Sequence, residues 1–290
     1  MSLKALSTAI SAATGAPFEC IDEREAGGGC INRGLILSGR CGRRFFVKLN
    51  RSGCLDLFEA EAEGLHALAA SQALRIPVPI TWGTEGDTAW LILEYLPLSP
   101  RGDFAALGRA LANLHRQTQP RFGWHRNNHI GATPQHNDWN PDWIDFWRIQ
   151  RLGFQRDLAR HNGAPASLIN ACDAVASRLP ELLADYQPSA SLLHGDLWGG
   201  NAAFVNGAPC VFDPAVYYGD RETDIAMTEL FGSFSHDFYA AYQDAWPLDP
   251  GYARRRDLYT LYHLLNHFNL FGGSYGRQAE QCAARLRAAV

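Results

Sequence analysis

The spacing of hydrophobic positions changes along the chain, from short runs of strand type to long helical periods. In the first hundred residues, apolar runs such as 35–37 and 44–49 are separated by glycine-containing turns. Helical periods cover 3–13 and 55–71. This order predicts a five-stranded antiparallel sheet with a helix between its third and fourth strands.

After residue 97 the apolar positions recur mainly at helical spacing. A segment with Pro97, Pro100 and Gly102 predicts a hinge. The predicted helices beyond it cover residues 104–117, 143–161, 166–186, 224–232, 237–245, 252–271 and 277–289. A long polar and aromatic loop at 120–141 separates the first two helices. We therefore predict an α+β fold with two lobes, an N-lobe of residues 1–97 and a mostly helical C-lobe of residues 98–290.

The stretch 194–213 carries the candidate chemistry. Asp196 and Asn201 are separated by the step found between the catalytic aspartate and the metal-binding asparagine of protein-kinase catalytic loops. An Asn-Gly dipeptide at 206–207 predicts a tight hairpin, which returns Asp213 to the neighbourhood of Asn201. The pattern indicates a carboxylate that accepts a hydroxyl proton and two oxygen ligands for Mg²⁺, which are requirements of phosphoryl transfer from ATP.

Two segments are candidates for holding the nucleotide. A glycine-rich turn between the first two strands lets backbone N–H groups approach phosphates, although an ordinary hairpin fits the same residues. The backbone that follows the fifth strand is placed to hydrogen-bond adenine. The candidate ATP-binding residues of these segments are Gly28, Gly29, Cys30, Asn32, Glu94, Tyr95 and Leu96.

Lys48 interrupts an otherwise apolar strand, and a buried ammonium needs a partner. Glu61 shares the inward stripe of the following helix with Leu65 and Leu68. We therefore expect a lysine that binds ATP phosphates and is held by Glu61. The alternative is a lysine that only reaches solvent at the strand end.

Further side chains around this constellation have expected roles. Trp198 lies between the base and the metal ligand, and its indole is expected to form a wall of the substrate site or else to belong to the core. His194 and Asp224 are expected to support the catalytic loop by hydrogen bonds. Candidate substrate-binding residues in the long loop are Gln135, Asn137 and Trp139.

Composition and charge argue against several classes of function. The 290 residues carry a net charge of −4 without a basic stripe, so no nucleic-acid partner is expected. No apolar run reaches about 18 residues, so no membrane partner is expected, and the N-terminus lacks the pattern of a signal peptide. The seven cysteines are scattered, which favours reduced thiols and a cytoplasmic location.

Eight motifs spread over nearly the whole chain occur together in one known family. They are Gly-Gly-Cys-Ile-Asn at 28–32, Phe-Glu-Ala-Glu at 58–61, Gly-Trp at 123–124, Ile-Gly-Ala-Thr-Pro-Gln at 130–135, His-Gly-Asp-Leu-Trp-Gly-Gly-Asn at 194–201, Asp-Pro-Ala and Tyr-Tyr-Gly within 213–219, and Tyr-His-Leu-Leu-Asn-His at 262–267. The chain thereby resembles the fructosamine kinases, or ketosamine kinases. These belong to the aminoglycoside/choline-kinase-like phosphotransferases of protein-kinase fold.

The resemblance implies ATP- and Mg²⁺-dependent phosphorylation of a ketosamine, a sugar adduct of an amine, at the third hydroxyl of the sugar. The phosphorylated adduct breaks down and frees the amine, so the implied role is deglycation of a small-molecule or protein-bound ketosamine. Gly199 and Asp220 depart from the family, which usually has Ser and His at these places. Gly199 lacks a hydroxyl and loosens the loop, but neither change removes a group that the chemistry needs.

Two other functions stay open. A kinase of another small hydroxylated amine, such as an aminoglycoside or a choline-like compound, would share the Asp-Asn-Asp arrangement. Trp198 and the Tyr-Tyr pair at 217–218 argue against it. A non-catalytic nucleotide-binding protein would normally lack one of four residues that are all present here, namely Lys48, Asp196, Asn201 and Asp213.

Cys30 has two interpretations. It is either a small filler in the glycine-rich turn or a redox control point, because backbone N–H groups favour the thiolate. In the second case oxidation would lower activity reversibly, and two such turns could link two chains. A monomer and a redox-dependent homodimer are therefore the alternatives.

Overall fold

A computed structural model of the chain describes residues 2–27 and 31–288. The elements of its first part are α1 (Leu3–Thr14), β1 (Cys20–Ala26), β2 (Arg33–Gly39), β3 (Arg44–Arg51), a 3₁₀ turn (Ser52–Cys54), α2 (Leu55–Ala70), β4 (Pro79–Glu85) and β5 (Thr88–Glu94). The five strands form one antiparallel sheet in the order β1-β2-β3-β5-β4. The predicted sheet, with a helix after its third strand, is confirmed.

Alternation along β5 explains how both faces of the sheet are covered. Ile92 packs in a cluster with Leu6 of α1, whereas Leu91 packs with Leu65 of α2. Lys48 is the cross-strand partner of Leu91. Cross-strand partners share a face of the sheet, so the strand register directs Lys48 toward α2.

The second part of the chain is mostly helical. Its helices are α3 (Phe104–His115), α4 (Trp143–Phe146), α5 (Phe154–His161), α6 (Ala166–Ser177), α7 (Leu179–Leu182), α8 (Glu222–Leu230), α9 (His236–Ala245), α10 (Tyr252–Phe271) and α11 (Ser274–Ala288). A π-helical segment (Trp147–Gly153) joins α4 to α5. Within the described ranges, no helix combines the length and the apolar character needed to cross a membrane.

The single helix predicted at 166–186 is wrong, because the chain forms two helices that meet at Arg178. Pro180 lies in the first turn of α7, where its missing N–H leaves no hydrogen bond unmade. The same residue could not have continued α6, since proline removes a donor and clashes with the preceding turn.

Short strands position the candidate catalytic stretch at 194–213, and the hydrophobic pattern does not predict all of these strands. They are β6 (Thr118–Gln119), β7 (Asn128–Ile130), β8 (Thr133–Gln135), β9 (Ala190–Leu193), β10 (Ala202–Val205), β11 (Ala208–Val211) and β12 (Tyr217–Gly219). The loop predicted at 120–141 contains the β7–β8 hairpin, and β9 pairs with both β12 and β6. Because β9 is fully buried and ends directly before His194, it anchors the candidate catalytic loop.

Candidate active site

The loop at 194–196 takes its shape from a glycine. Gly195 has a φ of +83°, and a Cβ at this position would lie 2.0 Å from the carbonyl oxygen of Ala215. Glycine therefore allows the loop to pass close to the segment that follows Asp213. The next residue, Asp196, lines the cavity of the site.

Asp224, in the first turn of α8, holds this loop from its buried side. Its Oδ2 accepts a hydrogen bond from the N–H of His194 at 2.7 Å, and its Oδ1 accepts one from the N–H of Gly195 at 2.9 Å. Nε2 of His115 lies 3.1 Å from the same Oδ2. Burial alone would raise the pKa of Asp224, but the hydrogen bond with His115 and the N–H of Gly195 lower it. A charged carboxylate therefore fixes the loop.

We expect Asp224→Ala to destabilise the fold. The change leaves two buried backbone N–H groups and His115 without their acceptor, at about 1–3 kcal/mol for each unsatisfied group. The free energy of unfolding, measured by chemical denaturation, should fall by about 2–5 kcal/mol. Asp237→Ala is the matched control, because it removes an exposed aspartate from the first turn of α9. A parent-like stability of Asp224→Ala would contradict the supporting role.

The β10–β11 hairpin brings Asn201 and Asp213 together. Asn206 and Gly207 have positive φ angles of 51° and 84°, as a two-residue type I′ turn requires. At the open end, the N–H of Phe212 donates to the carbonyl of Asn201 at 3.1 Å. The predicted hairpin is confirmed, and it places the two candidate metal ligands side by side.

Both long edges of this hairpin are hydrogen-bonded to other segments. Ser99 and Phe204 exchange two backbone hydrogen bonds of 2.9 and 2.8 Å. On the other edge, the N–H of Arg75 donates to the carbonyl of Pro209 at 3.0 Å, and the N–H of Val211 donates to the carbonyl of Arg75 at 3.2 Å. The hairpin is therefore fixed to the segment that precedes β4 and to the segment that follows β5.

The side-chain oxygens of Asn201 and Asp213 fit a divalent cation. Nδ2 of Asn201 donates to the backbone carbonyl of Asp196 at 2.9 Å and lies 3.5 Å from that of Asp213. Carbonyl oxygens only accept, so these contacts place the amide nitrogen there and direct Oδ1 away from them. Oδ1 and the half-exposed Asp213 carboxylate are the hard oxygen ligands that Mg²⁺ prefers.

The environment of Asp196 suits a base. Burial raises the pKa of Asp196 to about 7, and the charges of Asp213 and Asp224 act in the same direction. Nδ2 of Asn201 lies 3.4 Å from Oδ2 of Asp196 and favours its charged form. A carboxylate with a pKa near neutral pH accepts a hydroxyl proton more readily than an ordinary aspartate does.

Lys48 lies between two carboxylates. Its Nζ is 2.5 Å from Oε1 of Glu61 and 2.6 Å from Oδ1 of Asp213. The side chains of Lys48 and Glu61 are only 7% and 8% exposed, so this ion pair is buried. Burial disfavours the ammonium, but the two carboxylates outweigh burial and raise the pKa of Lys48. A permanently charged ammonium therefore lines the cavity beside a candidate metal ligand.

A cavity of about 770 Å³ lies between the sheet and the helical part. Its volume is within the range of small-molecule sites. Ile36, Phe46 and Leu93 line the end nearest the sheet with apolar surface. Among the described residues, the N–H of Leu96 has no hydrogen-bond acceptor, so this donor is available to a base. The apolar surface and the free donor together suit an adenine ring.

The predicted ATP-binding residues that the structure describes all line this cavity. They are Asn32, Lys48, Glu61, Glu94, Tyr95 and Leu96. Oδ1 of Asn32 accepts a hydrogen bond from Nδ2 of Asn50 at 2.7 Å. Gly28, Gly29 and Cys30 lie outside the described residues. Their ATP-binding role and the redox role of Cys30 therefore stay predictions.

Two exposed tryptophans differ in their relation to the cavity. Trp198 is 39% exposed and lines the cavity, where a Cβ at Gly200 would lie 2.3 Å from its indole. Trp139 is 36% exposed, stacks on Tyr218 with ring centroids 6.2 Å apart, and is not among the described residues that line the cavity. Trp198 is therefore the better placed of the two to stack on an acceptor.

Gln135 and Asn137 lie behind the site. Both are buried, and neither is among the described cavity-lining residues. Gln135 donates from Nε2 to the carbonyl of Ala215 at 3.0 Å, and Asn128 donates from Nδ2 to the carbonyl of Val216 at 2.7 Å. Nδ2 of Asn137 donates to Oδ1 of Asn128 at 2.8 Å. This amide network positions the segment that follows the candidate metal ligand.

The ring of His194 links the loop at 194–196 to the end of the β10–β11 hairpin. Its Nε2 donates to the carbonyl of Phe212 at 2.9 Å, and its Nδ1 accepts from the N–H of Asp196 at 3.3 Å. Burial lowers the pKa of His194. The ring is therefore neutral, as this combination of one donor and one acceptor requires.

The two positions that depart from the resembled family are accommodated without strain. A Cβ at Gly199 would meet nothing within 4 Å, so this exposed turn has room for a side chain. Asp220 is fully buried, and its carboxylate accepts from the hydroxyls of Tyr186 and Tyr259 and from the N–H of Glu222. Asp220 therefore fixes the start of α8, the helix that carries Asp224.

Part of the cavity wall is formed by residues that the sequence analysis does not predict as site residues. It is formed by residues in and next to the last helices, namely Phe231, Asn266, His267, Leu270, Phe271 and Tyr275. The periodicity of these helices indicates only core packing. The local signals are the motif at 262–267, which contributes to the family resemblance, and within it Asn266, a polar side chain on the buried stripe of α10.

Known proteins are similar to the chain over nearly its whole length. The family model described as Fructosamine kinase matches residues 2–289. A probable ketoamine kinase of Synechocystis sp. is 46% identical over 282 residues, which cover 94% of this chain and 92% of that protein. The chloroplastic protein-ribulosamine 3-kinase of Arabidopsis thaliana is 42% identical over 260 residues, which cover 87% of this chain and 78% of that protein.

Solved structures have the same fold. The crystal structure of a candidate fructosamine-3-kinase from Haemophilus somnus superimposes with a TM-score of 0.90 at 28% identity, covering 97% of this chain and 96% of that one. An aminoglycoside phosphotransferase and a choline/ethanolamine kinase family protein share the fold at lower identity. The predicted protein-kinase-like fold, with an antiparallel sheet followed by a helical lobe, is confirmed.

Proposed function

The chain belongs to the fructosamine kinase family, and from this premise we propose that it is an ATP-dependent kinase that phosphorylates the sugar of ketosamines at the 3-hydroxyl. The observation that carries the proposal is the convergence of Asp196, Asn201, Asp213 and Lys48 on one cavity. The names of the relatives support a ketoamine acceptor, and the name of the Arabidopsis relative supports position 3. The proposed role is deglycation, since the phosphorylated adduct breaks down and frees the amine.

In the proposed reaction, the sugar hydroxyl oxygen bonds to the γ-phosphorus of ATP as the bond from that phosphorus to the β–γ bridging oxygen breaks and ADP leaves. The carboxylate of Asp196 orients the hydroxyl and accepts its proton. Lys48, held by Glu61, contacts the phosphate oxygens. Asn201 and Asp213 would hold Mg²⁺, which supplies the positive charge that neutralises the phosphates.

The proposed division of labour follows the two lobes. Residues 1–97 would bind ATP, since they contain the sheet, Lys48 and the N–H of Leu96, which has no acceptor among the described residues. Residues 98–290 would bind the acceptor and supply the base, since they contain the stretch 194–213 and the helical wall of the cavity.

The proposed acceptor is a free or protein-bound ketosamine, and the proposed location is the cytoplasm. The six cysteines that the structure describes are free thiols, which suits a reducing compartment. The choice between a monomer and a redox-dependent homodimer stays a prediction, because it depends on Cys30.

ADP release measured against a panel of acceptors tests the proposal. The panel contains fructosyl-lysine, ribulosyl-lysine, an aminoglycoside and choline. We expect turnover with at least one ketosamine, well above that with the other two compounds, and a phosphate at position 3 of the sugar by NMR. Turnover with the aminoglycoside or choline alone would instead identify a kinase of another hydroxylated amine. ATP binding without turnover of any acceptor would identify a non-catalytic nucleotide-binding protein.

We expect Trp198→Ala to damage ketosamine phosphorylation more than background ATP hydrolysis. A stacked indole contributes to the binding of the acceptor, and its loss should lower kcat/KM for the ketosamine about five- to tenfold. Trp82→Ala is the matched control, since it removes a similarly exposed indole of β4 that is not among the described cavity-lining residues. An equal fall of both activities in Trp198→Ala would indicate a structural tryptophan.

A further inference from the structure

The cavity continues past Asp196 along α10. Asn266, which is 2% exposed, is the first residue of α10 among those that line the described cavity, and Phe271, at the outer end, is 51% exposed. From Asn266 to Phe271 the helix advances about 7.5 Å. Tyr262, one turn before Asn266, lies behind this wall and donates its hydroxyl to Oε1 of Gln135 at 2.7 Å. The described wall therefore runs from the buried Asn266 to solvent.

A chain of amides fixes the orientation of Asn266. Nδ2 of Asn269 donates to the backbone carbonyl of Gln155 at 3.0 Å, which can only accept, and to Oε1 of Gln155 at 2.8 Å. Nε2 of Gln155 is therefore the donor of its amide, and it donates to Oδ1 of Asn266 at 3.2 Å.

This orientation leaves the nitrogen of Asn266 as a donor for a ligand. Among the described residues, Nδ2 of Asn266 has no acceptor, although Asn266 itself is only 2% exposed and lines the cavity. A donor that is held in place before binding loses little freedom when a ligand arrives. A hydroxyl or carbonyl oxygen of the acceptor is the partner that such a donor requires.

Four rings surround the outer end of the cavity, and we call them the aromatic mouth: Phe231, His267, Phe271 and Tyr275. The ring centroid of His267 lies 4.4 Å from that of Phe231, 5.1 Å from that of Tyr275 and 5.8 Å from that of Phe271. Burial lowers the pKa of His267, so this ring is neutral. The acidic groups and the lysine that line the described cavity belong instead to the nucleotide and metal part, namely Lys48, Glu61, Glu94, Asp196 and Asp213.

We propose that this face of α10 is the acceptor subsite, in which Asn266 donates to a sugar oxygen and the aromatic mouth contacts the alkyl stem of the amine. The proposal rests on the proposed function, because it assumes a sugar at Asp196 with a substituted amine. Ring faces attract methylene groups and a secondary ammonium. A carboxylate next to the amine would instead lose water without gaining a partner. The subsite therefore selects ketosamines whose amine carries a chain of methylene groups.

Ketosamines made from one sugar with methylamine or with butylamine test the aromatic mouth, since they differ by three methylene groups. In the parent, kcat/KM should be about tenfold higher for the butylamine adduct. In Phe271→Ala, and independently in Tyr275→Ala, this ratio should fall to about two. Trp82→Ala is the matched control and should keep the parent ratio, because it removes an exposed indole of β4 that is not among the described cavity-lining residues.

Asn266→Asp tests the donor. The change keeps the size of the side chain and an oxygen for Gln155, but it replaces the donor with an acceptor. KM for both adducts should rise about tenfold or more, while KM for ATP and the ratio between the two adducts stay at the parent values. Thermal denaturation of each variant shows whether the fold is retained.

The outcomes separate the subsite from the proposed function. Equal losses for both adducts in Phe271→Ala and Tyr275→Ala would overturn the aromatic mouth. A KM for ATP that rises together with that of the adducts in Asn266→Asp would overturn the donor. In both cases the proposed function is retained if the parent protein phosphorylates the adducts. A parent that phosphorylates neither adduct overturns the proposed function and the subsite together.

Discussion

Asp196→Asn should reduce ketosamine phosphorylation by on the order of 10²- to 10⁴-fold and leave ATP binding nearly unchanged. The variant keeps the shape of the side chain but cannot accept the hydroxyl proton. The loop should keep its conformation, because Asp224 binds the backbone of His194 and Gly195, and Asn201 donates to the backbone carbonyl of residue 196. The loss would therefore report on chemistry and not on folding.

ADP release measures turnover of Asp196→Asn, and calorimetry on the same preparation measures ATP binding. Asp196→Ala, which also removes the orienting oxygens, should be at least as impaired. Asp244→Asn is the matched control, because it neutralises an exposed aspartate of α9. Turnover of Asp196→Asn within about tenfold of the parent would reject the role of Asp196 as the base.

The elements that depend on local chemistry could be predicted from the sequence. The Asn-Gly dipeptide at 206–207 requires positive φ angles, and this requirement alone predicts the hairpin that joins Asn201 to Asp213. The long helical period at 252–271 coincides with α10. Lys48 was recognisable because an ammonium in an apolar strand needs a carboxylate, and the strand register directs it toward the helix of Glu61.

Contacts between distant segments could not be predicted in the same way. Gln135 and Asn137 lie in a polar loop, which usually indicates exposure. Both side chains are nevertheless buried, and their amide groups form hydrogen bonds inside the protein. Arg151 is fully buried, donates to Oδ1 of Asn137 at 2.7 Å and lies 4.0 Å from the ring centre of Tyr217. The sequence around Arg151 has the pattern of an ordinary helix. No local feature therefore indicates that this guanidinium organises the loop at 120–141.

The orientation of Asn266 depends on tertiary contacts as well. The direction of its amide nitrogen, which has no acceptor among the described residues, is set by Gln155 on α5 and by Asn269 on its own helix. Periodicity predicts that these residues are helical, but it does not specify which end of an amide faces a cavity. Candidate catalytic residues on a sharply defined loop and hairpin are thus predictable from spacing, whereas the proposed acceptor-binding residues on packed helices need the structure.

Lys48→Met should lower kcat by on the order of 10²-fold or more, and Glu61→Gln should lower it less. Lys48 contacts both Glu61 and Asp213, so its loss removes the cation that would hold the phosphates beside the metal ligand. It also leaves the buried carboxylate of Glu61 without its partner. The free energy of unfolding should therefore fall by about 3–5 kcal/mol.

A double-mutant cycle shows whether Glu61 acts through Lys48. If it does, the double variant Lys48→Met with Glu61→Gln should turn over no more slowly than Lys48→Met alone, because Glu61 has then lost the group that it positions. The double variant should also be more stable than Lys48→Met, since the unpaired buried charge is gone. The exposed pair of Arg40 and Glu19 is the matched control, and its two substitutions should have small and additive effects. Additive losses of turnover at Lys48 and Glu61 would instead show that the two residues act independently, and the buried ion pair would then have no part in placing the phosphates.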